Sequence, residues 1–221
     1  MAYKCKTKLA NKLLKIYHFL YDSFGPQYWW PGNTPFEIMV GAILTQNTNW
    51  HNVERAMANL KRAKLLNPKK LLKNVRRIPQ LIKPSGFYIL KSKRLINFLE
   101  WFVKSYNGDV KNFAGKKTDR IRNELLSLPG IGRETADAML LYALNRPIFV
   151  IDAYTRRIFS RHNIFDHKLT HDEVRIGFEN SLPKNPKLYN EYHALIVRLG
   201  KEFCRKNEPL CHLCPLNNIL G

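Results

Sequence analysis

The residues with the most chemistry lie in the segment Leu128-Pro-Gly-Ile-Gly-Arg133 and at Asp152, nineteen residues beyond Arg133. Gly130 and Gly132 permit a tight turn whose backbone N–H groups can converge on one phosphate oxygen. Glycine accepts φ > 0 and has no side chain to hold an anion away. A helix starting near Glu134 adds the positive end of its dipole. That helix is apolar, and a β-like run, Pro147-Ile-Phe-Val-Ile151, then leads to the lone carboxylate of Asp152. An Asp between an apolar run and a helix is a natural N-cap. Beside a glycosidic bond the same fixed carboxylate could stabilise an oxocarbenium-like sugar and help activate water. Turn and acid together describe a way to hold a DNA backbone while a carboxylate works nearby.

Three tryptophans form a second group: Trp29 and Trp30 in Tyr28-Trp-Trp-Pro-Gly32, and Trp50 in Thr48-Asn-Trp50. Core packing accounts for one of Trp29 and Trp30. The functional reading is an aromatic sandwich, because indole stacks on any flat base and strongly on a cationic alkylated purine. His51, His162, His167, His171 and His193 form no ligand or triad spacing and read as surface or core residues.

Charge narrows the partner. The chain of 221 residues carries 37 Lys and Arg against 17 Asp and Glu, a net +20. A balance of that sign and size points to a polyanion, bound with counterion release. The basic residues are interspersed with apolar ones, as at Lys61, Arg62 and Lys64 or Lys91, Lys93 and Arg94, so they describe a folded basic surface. The N-terminus has no apolar core of a signal peptide and no apolar run approaches membrane-spanning length. The expected location is the cytoplasm, where thiols stay reduced, so the four cysteines read as ligands or free thiols.

The elements that must position these groups are helical. Apolar residues recur at helical spacing over 9–21, 35–45, 52–61, 68–75, 91–106, 119–127, 134–144, 153–161, 171–181 and 188–203. Breaks fall at Gly25-Pro26, Pro31-Gly32, Pro84-Ser85-Gly86, Asn107-Gly108 and Pro183. No stretch alternates long enough to require a sheet, and the expected class is all-α. The glycine turn sits between 119–127 and 134–144, the context of a helix-hairpin-helix.

Leu128-Pro-Gly-Ile-Gly-Arg-Glu-Thr-Ala136 through Asp152 resembles the helix-hairpin-helix and catalytic Asp of the endonuclease III superfamily of DNA glycosylases. The match runs over nearly the whole chain and includes Gly41-Ala-Ile-Leu-Thr-Gln-Asn-Thr48, similar to that family's early helix with its DNA-inserting Gln, here Gln46. The resemblance implies two helical lobes with DNA across the cleft: 27–145, a six-helix barrel-like lobe with the hairpin, and 1–26 plus 146–221. It implies that one damaged nucleotide is flipped out of double-stranded DNA, with Asp152 catalytic, Gln46 filling the gap, and Gly130, Gly132 and Arg133 binding DNA; one flipped base needs one active site, so a monomer is expected. Trp-Trp-Pro, the Thr-Gln-Asn-Thr segment with Trp50, and Lys83-Pro-Ser-Gly-Phe-Tyr88 resemble the 3-methyladenine DNA glycosylase III branch. That likeness places Trp29, Trp30 and Trp50 around the base. Bifunctional members carry a Lys just after the hairpin turn, which attacks the sugar and forms a Schiff base. Here that position is Glu134, which cannot form an imine, so the expected enzyme is monofunctional. Two other readings stay open: a glycosylase for mismatched T or U or for oxidised pyrimidines, and a DNA-binding module without catalysis.

The cysteines also fit the family. Cys204-x6-Cys211-x2-Cys214-Pro215 matches the first three ligands of its [4Fe–4S] loop, and thiolates at that spacing wrap one cluster. The fourth ligand belongs at position 220, which is Leu. Cys5 could replace it. A three-Cys cluster with an exchangeable site, a Zn²⁺ held by three Cys and a His, and a metal-free loop remain alternatives.

Overall fold

In the computed structural model, which describes residues 2–30 and 32–217 with side chains from residue 8 on, every regular element among the described residues is helical. In chain order these are α1 (Ala2–Phe24), α2 (Pro35–Leu44), α3 (Trp50–Arg62), α4 (Pro68–Lys73), α5 (Ile78–Ile82), α6 (Tyr88–Tyr106), α7 (Thr118–Leu126), α8 (Arg133–Ala138), α9 (Ala153–Arg161), α10 (His171–Ser181) and α11 (Pro186–Glu202). They divide between two compact units, Pro31–Leu144 and Met1–Trp30 with Asn145–Gly221. Cys5 and position 220, the two places considered for a fourth cluster ligand, lie outside the described side chains.

The Pro31–Leu144 unit is built around α2. Its start is fixed by Thr34, whose side chain accepts from the Glu37 N–H, and by Pro35 in the first turn. Phe36, Met39, Val40, Ala42, Ile43 and Leu44 are all buried, because α3, α6, α8 and the helical segment 139–143 after α8 pack around it. A run of rings continues along α6: Phe98, Phe102 and Phe113 stack with centroids 5.5 and 5.7 Å apart. Buried side chains of this size each contribute about 1.5–3 kcal/mol.

The second unit packs α11 against α1 and α9. Phe149 stacks on Phe178 at 4.1 Å, and Phe159 meets Phe178 edge-on at 4.8 Å. Tyr192 on α11 donates to the Leu13 carbonyl of α1 at 2.8 Å, which satisfies a buried hydroxyl.

Several boundaries differ from the periodicity. The helix expected over 134–144 is α8 followed by a π-helical segment, Met139–Ala143. It stops where Asn145 takes the left-handed conformation (φ 51) ahead of Pro147. The helix expected over 68–75 ends at Lys73, and α5 was too short for a periodic signal. The run 147–151 is extended but pairs with no strand among the described residues. Its burial is satisfied otherwise: Phe149 N–H donates to Glu179 Oε1 at 2.9 Å. α11 starts two residues early because Pro186 follows the capping Asn185.

Candidate active site

In the first unit the hairpin is formed by α7, the turn 127–132 and α8. Gly130 has φ +90, a conformation that disfavours any side chain. A Cβ there would also collide with Cγ and Cδ of Arg94 on α6. Gly132 differs: it has φ −88, and a Cβ there would meet nothing within 4 Å. The two helices are pinned by a buried ion pair, Arg122 Nε and Nη2 to Asp137 Oδ1 and Oδ2 at 2.6 and 3.1 Å. Bidentate geometry of this kind fixes orientation as well as distance.

Gln46, just beyond α2, is bonded to this hairpin. Its Nε2 donates to the Gly130 carbonyl at 3.1 Å and to Thr135 Oγ1 at 2.9 Å, and its Oε1 accepts from Arg94 Nη1. Arg133 and Glu134 are exposed in the first turn of α8. A buried lysine braces the same region from behind: Lys91 Nζ donates to Leu44 O at 2.7 Å and Ser85 O at 2.6 Å. Burial first, then the neighbouring Arg94 charge, lowers it to about 8.

In the second unit Asp152 is the N-cap of α9. Its Oδ1 accepts from both the N–H (2.7 Å) and the Oγ1 (2.8 Å) of Thr155. Its Oδ2 lies 3.6 Å from His193 Nε2, a polar contact longer than a hydrogen bond. Burial alone would raise this carboxyl; His193 and the Thr155 donors outweigh it and hold the group below its ordinary value. A buried yet ionised carboxylate is well made to face a developing positive charge.

Trp29 and Trp30 are half-buried, and their rings meet at 88°, with centroids 5.6 Å apart. Perpendicular rings cannot stack on the two faces of one flat base. The ammonium of Lys201 already sits over Trp29, 5.8 Å from its ring. Trp50 opens α3 in the Pro31–Leu144 unit, its Nε1 donating to Glu54 at 2.9 Å.

The family model for HhH-GPD superfamily base excision DNA repair proteins matches residues 40–184, which include the hairpin and Asp152. The chain belongs to the HhH-GPD superfamily. A candidate DNA repair glycosylase of Methanocaldococcus jannaschii is 50% identical over 219 residues, covering 97% of this chain and 98% of that one. The structure of the H. pylori 3-methyladenine DNA glycosylase bound to 1,N6-ethenoadenine is similar at TM-score 0.71 and 29% identity, covering 89% of this chain and 97% of that one. An endonuclease III–DNA complex shares the fold at TM-score 0.80 and 21% identity, covering 96% and 94%. This HhH-GPD protein is thus an enzyme, a DNA glycosylase of base excision repair, and its partner is DNA. No helix among the described residues is long and apolar enough to cross a membrane.

The cysteine loop of this HhH-GPD chain is tied to α9 by arginines. Arg157 donates to Cys204 O (2.8 Å) and Gly200 O (3.0 Å), and Arg161 to Arg205 O (2.6 Å), Lys206 O (2.7 Å) and Cys204 Sγ (3.4 Å). Burial, and then Cys204 and Cys211, push the Cys214 thiol up, with the backbone N–H groups of Leu216 and Asn217 opposing the shift. Among the described residues, no three or more His, Cys, Asp or Glu side chains converge closely enough to hold a metal ion.

Two neighbours of Asp152, His193 and Thr155, were not named as site residues from the sequence. His193, read as one more surface or core histidine, stands beside Asp152. Thr155 carried a local signal, since Asp-x-x-Thr places a donor three residues after a cap. His193 carried none, because 41 residues separate it from Asp152.

Proposed function

We propose that the protein is a monofunctional glycosylase that hydrolyses the N-glycosidic bond of a flipped alkylated purine such as 3-methyladenine, working as a monomer. The observation that carries the chemistry is Asp152, buried as the N-cap of α9, with Oδ1 held by two Thr155 donors and its carboxyl kept below the ordinary value by His193 and Thr155 against burial. In this reading its carboxylate balances the oxocarbenium-like sugar and helps water to attack, while Gly130, Gly132 and Arg133 grip the backbone. Gln46 fills the gap left by the flipped base, which requires its bonds to Gly130 and Thr135 to be exchanged for bonds to DNA.

The absence of lyase chemistry follows from Glu134. Lys91 does not replace the missing amine: although lowered to about 8, it is buried and both of its carbonyl partners are structural. Trp29 already carries Lys201, which disfavours that ring for a cationic base. A cationic ring is attracted by an indole face and repelled by an ammonium. The likeness to the H. pylori enzyme supports the same class. The cofactor reading, a [4Fe–4S] cluster on Cys204, Cys211 and Cys214, rests on ligand spacing; iron and labile sulfide measured on anaerobically purified protein decide it.

The test is base release from duplexes carrying 3-methyladenine, 7-methylguanine, thymine glycol, T·G or U·G, with each product run with and without alkali. Release of alkylated purine, with breaks only after alkali, is expected. Breaks without alkali would show an amine nucleophile, and release only from T·G, U·G or thymine glycol would reassign the base. Asp152→Asn should abolish release while DNA affinity stays equal or rises; full turnover in that variant would sink the mechanism.

A further inference from the structure

The two oxygens of Asp152 are held differently. Oδ1 takes both donors of Thr155, one turn into the same helix. Oδ2 faces His193 Nε2 at 3.6 Å. Both side chains are nearly out of water, Asp152 at 8% exposure and His193 at 4%. A carboxylate so placed is driven towards its neutral acid unless polar groups oppose it, and a neutral acid is of little use to a sugar cation.

The packing of α11 on α9 sets that distance. His193 and Gly200 are seven residues apart on α11 and so share a face. A Cβ at Gly200 would collide with the Tyr154 ring of α9, so the helices meet there at closest approach. Arg157 of α9 ties the same end through Gly200 O and Cys204 O. With the register locked at one end, His193 is delivered to Asp152 two turns away.

We infer that His193 is the positioning residue of Asp152, an inference that rests on the reading of Asp152 as the reacting carboxylate: His193 backs Oδ2 from α11 while Thr155 clamps Oδ1 from α9. The carboxylate plane is thereby fixed from two helices. The stand-off of 3.6 Å leaves the Oδ2 lone pairs for the sugar or the attacking water. His193 touches neither; it acts through Asp152.

The experiment compares His193→Phe, which fills the space without a donor, His193→Gln, whose amide nitrogen reaches the place of Nε2, and His193→Asn, whose amide stops one methylene short. Each is assayed for single-turnover base release on the lesion that the wild type releases fastest, and for affinity to a duplex with an abasic-site analogue. His193→Phe and His193→Asn should slow release by about 10- to 100-fold with affinity nearly unchanged, and His193→Gln should recover most of the loss. Unfolding of His193→Phe would leave the Gln and Asn pair to decide, since they differ in reach and not in polarity. A wild-type rate in His193→Phe or His193→Asn, or an equal loss in Gln and Asn, overturns the inference. Asp152→Asn, made in parallel, separates the two claims. If it stays active, or if the wild type releases no base from the panel, the reading of Asp152 fails and the inference with it. If it is dead while His193→Phe and His193→Asn run at full rate, the inference alone fails.

Discussion

Gly130 and Gly132 stand two residues apart and are glycine for different reasons. Gly130 is required from inside: its φ of +90 and the Arg94 stem lying across it leave no room for a side chain. Gly132 has an ordinary φ and open space where a Cβ would go, so nothing within the described fold demands glycine there, and under the proposed function the demand comes from outside. A DNA phosphate against the hairpin amides is such a visitor. Gly130→Ala should therefore lower stability by about 1–3 kcal/mol, read in thermal or urea unfolding. Gly132→Ala should leave unfolding within about 0.5 kcal/mol of wild type and weaken duplex binding about tenfold. The reverse pattern would show that the steric reading of the turn is wrong. Both glycines were legible in the sequence as a tight turn; that Gly130 is held from inside was not, because Arg94 reaches it from another helix.

Among the elements, the hairpin depends on the Arg122–Asp137 pair. Both partners are buried, one on α7 and one on α8, and their two hydrogen bonds set the angle at which the turn is presented. A pair of this kind adds little over a well-packed apolar substitute, but removal of one partner strands a charge. Asp137→Asn should cost about 3–5 kcal/mol in unfolding, and DNA affinity should fall with it, while a loss below about 1 kcal/mol would show that the pair is solvated. The cysteine loop repeats the theme in the other unit, where arginines of α9 hold its backbone carbonyls. Helix existence was plain from apolar spacing, since ten segments had the period. The π-helical end of the α8 segment and the short α5 were not, because backbone hydrogen bonding of a few residues leaves no periodic trace.

At the scale of the whole molecule, a net charge of +20 makes the affinity for undamaged duplex a counterion-release affinity. Titration by anisotropy should show it falling by about 10³-fold or more between roughly 50 and 200 mM salt. A flat response would mean that the basic residues do not meet phosphates. The sequence by itself determined what depends on residue type and local order: the helical class, the glycine turn, the carboxylate at a helix start, the charge, and the Glu134 where an amine nucleophile would stand. Only the tertiary structure decided what surrounds each group. It put His193 beside Asp152, bonded Gln46 to the hairpin, turned Trp29 and Trp30 perpendicular and laid Lys201 over one of them. Each of these contacts joins residues by helix packing or by a local backbone turn. Side chains from distant helices meet by shape and register, and neither leaves a mark in the order of residues along the chain.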